Sequence, residues 1–143
     1  VSVTTSIDLQ ADPTAVWAVL SDLGNLGSWV SNHAGYVGAA PGALAPGTEY
    51  TERIRVLGMP NDVAWTVSAL EDGRRIAQEG RGPMGISIDA EYTVEPAGDG
   101  SRLTVSQTFS GAALFAVKGQ LEREVKGAQE SSLAKLRELV ESA

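Results

Sequence analysis

The chain has 143 residues, 43% hydrophobic and 20% charged, which predicts one globular domain over residues 1–143 that buries about 68–70% of its unfolded surface without a disulfide or metal staple. No Cys and a single His, His33, exclude thiol nucleophiles, cysteine-based zinc sites, iron–sulfur clusters and any site needing two imidazoles, and nothing in the pattern calls for a metal or cofactor. The net charge of −7 lies wholly in residues 1 to 111, since Ala112 to Ala143 holds five basic and five acidic residues; this disfavours nucleic acid, so none is expected as a partner, and repels an anionic membrane surface.

In chain order, Ser2 to Gln10 alternates Val3, Thr5, Ile7 and Leu9 with polar residues, the period of a half-buried strand. Asp12-Pro13 opens a short helix carrying Val16, Val19, Leu20 and Leu23, with Pro13 in the first helical position, where its missing N–H costs nothing. Gly24 and Gly27 end it. A further helical turn around Leu26 and Trp29 and a brief strand over His33 to Gly38 follow, then a loop with two Pro-Gly turns over Ala39 to Gly47.

Thr48 to Gly111 reads as five antiparallel strands punctuated at 58–61, 72–73, 82–84 and 97–100. Residues paired across a hairpin share a face. The turns therefore predict Val56 opposite Val63, Ile54 opposite Trp65, Ala69 opposite Ile76, Val67 opposite Gln78, Gly80 opposite Ile86, Gln78 opposite Ile88, Val94 opposite Leu103 and Tyr92 opposite Val105. One face gathers Tyr50, Glu52, Ile54, Val56, Val63, Trp65, Val67, Ile76 and Gln78, then Ile88, Ala90, Tyr92, Val94, Leu103, Val105, Gln107 and Phe109. The other carries Arg, Ser, Thr, Asp and Glu, and meets water.

After Gly111 comes a helical pattern of about thirty residues with apolar positions Leu114, Val117, Leu121, Val125, Ala128, Leu136, Leu139 and Val140. At ~1.5 Å per residue it would run ~45 Å and cover the sheet. Gly127, Ala128 and Ser132 on its buried side are too small to fill the space a leucine would, which predicts a gap between helix and sheet, the setting of small-molecule sites.

The order strand, two short helices, long antiparallel meander and long terminal helix resembles the helix-grip fold of the START-like (SRPBCC) superfamily, the Bet v 1-like α+β fold in which a curved antiparallel sheet wraps a C-terminal helix. The resemblance spans the chain and rests on Ile7-Asp8-Leu9-Gln10-Ala11-Asp12-Pro13 leading to Val16-Trp17, on Leu20-Ser21-Asp22 with Trp29 following, and on the terminal helix. Leu57-Gly58-Met59-Pro60-Asn61 with Trp65 looks like an actinobacterial subgroup labelled as toxin components of toxin–antitoxin pairs. The superfamily resemblance implies an apolar cavity for lipids, polyketides or similar compounds and, in some branches, cyclisation or dehydration; the subgroup resemblance implies an antitoxin as partner.

Glu52 is the only carboxylate expected on the inner face, where desolvation would raise its pKa and suit acid–base work; its plainer role is a cavity-mouth Glu paired with Arg or water. The expected ligand wall is Tyr50, Ile54, Trp65, Val67, Ile88, Phe109, Leu121 and Val125, with Glu52, Gln78, Tyr92 and Gln107 orienting a hydrophobic small molecule. The same aromatic residues read equally well as plain core. In the enzyme alternative, a cyclase or dehydratase, Glu52 is the acid/base and Tyr92 or His33 assists, although a lone His near strand 33–38 reads first as a strand-edge residue. The loop at 39–47 and the hairpin at 58–61 are the expected gates. Gly80-Arg81-Gly82-Pro83-Met84-Gly85 matches G-x-G-x-x-G but falls in a hairpin, so it is no dinucleotide site. With no apolar run near ~18 residues and no signal-peptide pattern at Val1 to Thr5, no stable membrane insertion and a cytoplasmic location are expected.

Overall fold

In the computed structural model, which describes residues 1–142, seven strands form one antiparallel sheet. They are β1 (Ser2–Leu9), β2 (His33–Tyr36), β3 (Glu49–Val56), β4 (Met59–Glu71), β5 (Arg75–Arg81), β6 (Ser87–Ala97) and β7 (Gly100–Ser110). Their spatial order is β1-β7-β6-β5-β4-β3-β2. Helix α1 (Pro13–Leu20) and a 3-10 turn over Leu23–Ser28 separate β1 from β2; another 3-10 segment, Ala112–Val117, leads into α2 (Lys118–Glu141). The fold is the expected curled sheet with a long C-terminal helix.

Each element follows its local chemistry. Pro13 sits at the first turn of α1, and Val16 and Leu20, one helical step apart, are its buried residues. Along β1, Val3 and Leu9 point inward. On its opposite face Ser2, Thr4 and Ser6 hydrogen-bond the hydroxyls of Thr108, Ser106 and Thr104 at 2.9–3.0 Å, which pins β1 to β7. On α2 the buried stripe is Leu121, Val125, Gln129, Ser132, Leu133, Leu136 and Val140, the 3.6-residue period of one helix face. Leu20, Leu103 and Leu136 are essentially sealed, each worth about 1.5–3 kcal/mol of apolar burial.

Four sequence expectations change. The β3–β4 turn is Leu57-Gly58, with both φ angles positive, so Val56 lies opposite Met59 and Ile54 opposite Asn61 rather than Trp65; a two-residue turn replaces the four-residue loop. Gly80 pairs with Ile88 and Gln78 with Ala90, two residues from expectation, because a short 3-10 turn at Pro83–Gly85 lengthens the connection. A bulge between Val67 and Ala69 puts Ala69 opposite Ala77, while Val67–Gln78 holds as expected. Finally, α2 is 24 residues, about 36 Å, since the segment before Lys118 is 3-10, and Gly127 faces outward.

Candidate functional site

Between the concave face of the sheet, α2 and the segment 20–32 lies a hollow in which water centres can range over about 70 Å³. One water needs roughly 10–15 Å³ of such space, so there is room for several waters or a small organic molecule. Ile54, Trp65, Ile88, Phe109 and Val125 supply the apolar wall, and Tyr50, Glu52, Gln78, Tyr92 and Gln107 its polar groups. Val67 and Leu121 are buried but do not line it; Val67 lies further along β4 than Trp65, and Leu121 lies a helical turn before Val125, so both sit beyond the space in close-packed core. Ala128 and Ser132 border the hollow as their small size suggested.

Glu52 lies at the polar end of this wall. Its Oε2 is 2.6 Å from Nδ1 of His33, and its Oε1 accepts a hydrogen bond from Trp65 Nε1–H at 3.0 Å. The two side chains of the His–Glu pair are only 7% and 6% exposed. Burial pushes the Glu52 carboxyl above the usual carboxylate range, while the bonds from His33 and Trp65 favour the ionised form and oppose that rise. His33 thus lies on the edge strand β2, as expected, but its side chain is turned into the interior. A bulge between His33 and Gly35 lets His33 and Tyr36, three apart, both turn inward, and Tyr36 packs edge-on against the His33 ring at 4.8 Å. Tyr36 is itself anchored on the segment before β2: its hydroxyl donates to the Leu23 carbonyl and accepts the Leu26 N–H.

Tyr92 borders the hollow without bonding to this pair. Its hydroxyl lies deep, and burial followed by the charge of Glu52 raises its pKa above the ordinary value. Tyr50 is likewise raised, chiefly by burial, and donates to Gln78 Oε1 at 3.0 Å. Across the cavity Gln129 on α2 binds three partners: it accepts from Thr5 Oγ1 at 2.7 Å and donates to the Val3 carbonyl at 3.1 Å and to Gln107 Oε1 at 2.9 Å.

Gln129, Trp29 and Asn32, which the sequence did not single out for the site, also line the hollow. Gln129 was findable, four residues after Val125 on the buried stripe. Trp29 closes the cavity against Tyr92, rings 6.2 Å apart and nearly perpendicular, and its Nε1–H is buried with no partner among the described residues. Of the expected gates, the 57–58 turn borders the site: Val56 lines it, and the Leu57 N–H is held by both carboxylate oxygens of Glu124 at 2.9 and 2.8 Å. The 39–47 loop contributes no lining residue. Among the described residues no group of three or more His, Cys, Asp or Glu is placed to hold a metal, and no helix is long and apolar enough to cross a membrane.

A sheet curled around a long terminal helix, enclosing a hollow between them, defines a START-like helix-grip protein. The START superfamily protein from Mycobacterium smegmatis has the same fold, with a TM-score of 0.80 at 14% identity over 99% of this chain and 97% of that one. The description polyketide cyclase / dehydrase and lipid transport matches residues 1–141, and the chain belongs to that family. Among its relatives, the uncharacterised protein Rv1546 of Mycobacterium tuberculosis is 34% identical over 139 residues, 96% of this chain and 97% of the relative. A protein of the same organism named toxin Rv0910 is 28% identical over 116 residues, 81% of each chain.

Proposed function

We propose that this protein binds a hydrophobic small molecule in the hollow between the sheet and α2. The observation that carries this reading is an apolar enclosure bordered by a few polar groups, Glu52, Gln78, Gln107 and Tyr92. Such an arrangement suits a ligand that buries an apolar body and is oriented by a few hydrogen bonds. Family membership supports a ligand-binding role. The size of the hollow favours a compact molecule, because a long acyl chain would have to displace the walls. Native mass spectrometry of the purified chain, together with Trp fluorescence against a library of hydrophobic compounds, tests the reading. Trp29 and Trp65 line the site, so a bound ligand should shift their emission; an interior that answers no compound would refute it.

The contact between His33 and Glu52 favours a second reading, acid–base catalysis of a cyclisation or dehydration. There Glu52 exchanges a proton with the ligand and His33, behind it, holds or relays that proton. Tyr92, which lacks a bond to the pair, would act on the ligand directly. Glu52→Gln should then abolish turnover and leave binding largely intact, whereas equal loss of both would return the argument to binding. The relative named a toxin supports a third reading, an antitoxin partner; a small reading frame beside the gene whose product co-purifies with this chain is its test.

A further inference from the structure

The polar groups of the hollow are biased in kind. Among the described residues no Lys, Arg or His lines it, and its only carboxylate is Glu52, already engaged by His33 and Trp65. Both groups of the His33–Glu52 pair are turned toward each other, and the carboxylate that borders the space offers an incoming anion no positive charge.

The rest of the sheet's inner face is rich in donors. Gln78, 4% exposed, has its Oε1 taken by the Tyr50 hydroxyl, which leaves its NH₂ group unpaired among the described residues. Gln107 has its Oε1 taken by Gln129 and is left with the same free NH₂. Register puts the two on either side of Ala90, since Gln78 pairs with Ala90 and Ala90 with Gln107. Tyr92 is the next inward position along β6 and faces the same space. Gln78 and Gln107 both line the hollow, on the strands that flank β6. These donors border the cavity without a protein acceptor, so each is free to donate to a ligand.

We propose that the hollow takes a neutral, mainly apolar compound bearing a carbonyl oxygen, such as a ketone, ester, lactone or quinone, and rejects carboxylates and phosphates. Gln78, Gln107 and Tyr92 donate to the carbonyl oxygen, and the hydrocarbon part lies against Ile88, Phe109 and Val125. This rests on the ligand-binding reading and narrows it. A carboxylate would satisfy the same donors, but it would carry a full negative charge into an apolar enclosure with no cation to meet it, and that desolvation is uncompensated.

Three probes of nearly equal shape separate the terms: acetophenone, benzoate and ethylbenzene, titrated into the full chain at pH 7.5 and followed through the side-chain NH₂ signals of its glutamines by NMR. Acetophenone is expected to bind at least tenfold more tightly than benzoate and several-fold more tightly than ethylbenzene, shifting the Gln78 and Gln107 amides. Gln78→Met should remove most of the preference over ethylbenzene. Tyr92→Phe, which deletes a hydroxyl that has no bond to lose in the protein, should lower acetophenone affinity several-fold and leave ethylbenzene unchanged. Benzoate binding as tightly as acetophenone, or a preference untouched by both variants, overturns this inference and leaves the binding role standing. Binding of none of the three overturns the binding role and this inference together.

Discussion

His33 and Glu52, nineteen positions apart, meet at 2.6 Å on the buried side of the sheet. The second oxygen of Glu52 is closed by the Trp65 indole, so the carboxyl is fully engaged by the protein, yet it forms part of the cavity wall. An acid held this way is poised between structure and chemistry, and pH distinguishes how much its charge costs the fold.

Because burial raises the Glu52 pKa above its ordinary 4.5, the folded chain holds that proton more tightly than the unfolded one. The stability this confers is complete below pH 4.5 and is lost as pH rises through the folded value. Glu52→Gln keeps an acceptor for Trp65 and a donor for Nδ1 of His33 but never ionises. Its stability relative to the parent should therefore improve as pH rises from 4 to 8. Urea midpoints of both proteins across that range check this; a difference that stays constant would show that the carboxyl is no harder to ionise in the fold than outside it.

Gly80 lies opposite Trp65 across the β4–β5 pair. A Cβ added there would stand 2.7 Å from Val63 Cγ1 and 2.8 Å from the Trp65 ring, inside contact distance of two sealed side chains. The missing side chain is what lets the indole lie against the sheet and reach Glu52. Gly80→Ala should cost about 1–3 kcal/mol through overpacking and move Trp65 away from the carboxyl. Unfolding by urea measures the first effect, and altered Trp emission in the folded state the second. Unchanged stability and emission would mean the wall yields freely.

The inner face of the meander was legible because a hairpin misplaced by an even number of residues keeps every side chain on its own face. The β3–β4 pairing moved by four and the β5–β6 pairing by two, so Glu52, Trp65, Gln78 and Tyr92 all remained on the cavity side. The one odd shift, beyond Val67, was absorbed by a bulge near the turn. His33 was not legible. Its inward turn depends on the bulge before Gly35, and a four-residue edge strand has no alternation long enough to reveal one. On α2, Gln129 stands on the buried stripe four residues after Val125 and was open to recognition there, whereas the Glu124 contact with Leu57, backbone to side chain across 67 positions, leaves no local signal.

That contact carries the last prediction. Leu57 and Gly58 form a two-residue turn with φ of 55° and 75°, the type I′ geometry that suits Asn-Gly. An L-residue other than Asn or Asp in this region costs roughly 1–2 kcal/mol, and Leu57 is only partly buried, so little apolar burial offsets the strain. What holds the turn is its N–H, gripped by both oxygens of Glu124, and any residue but proline retains that N–H. Leu57→Asn should therefore stabilise the chain by about 0.5–1 kcal/mol. At this chain length that raises Tm by about 1–4 °C. Glu124→Ala removes the acceptor and should lower stability by about 1 kcal/mol. It also frees the hairpin next to Val56, so ligand exchange at the cavity should quicken. Calorimetry on both variants, with dissociation rates of the best-bound compound, decides the matter. A destabilised Leu57→Asn would mean that Leu57 packing outweighs its backbone strain, and an unchanged exchange rate in Glu124→Ala would remove the turn as a point of entry.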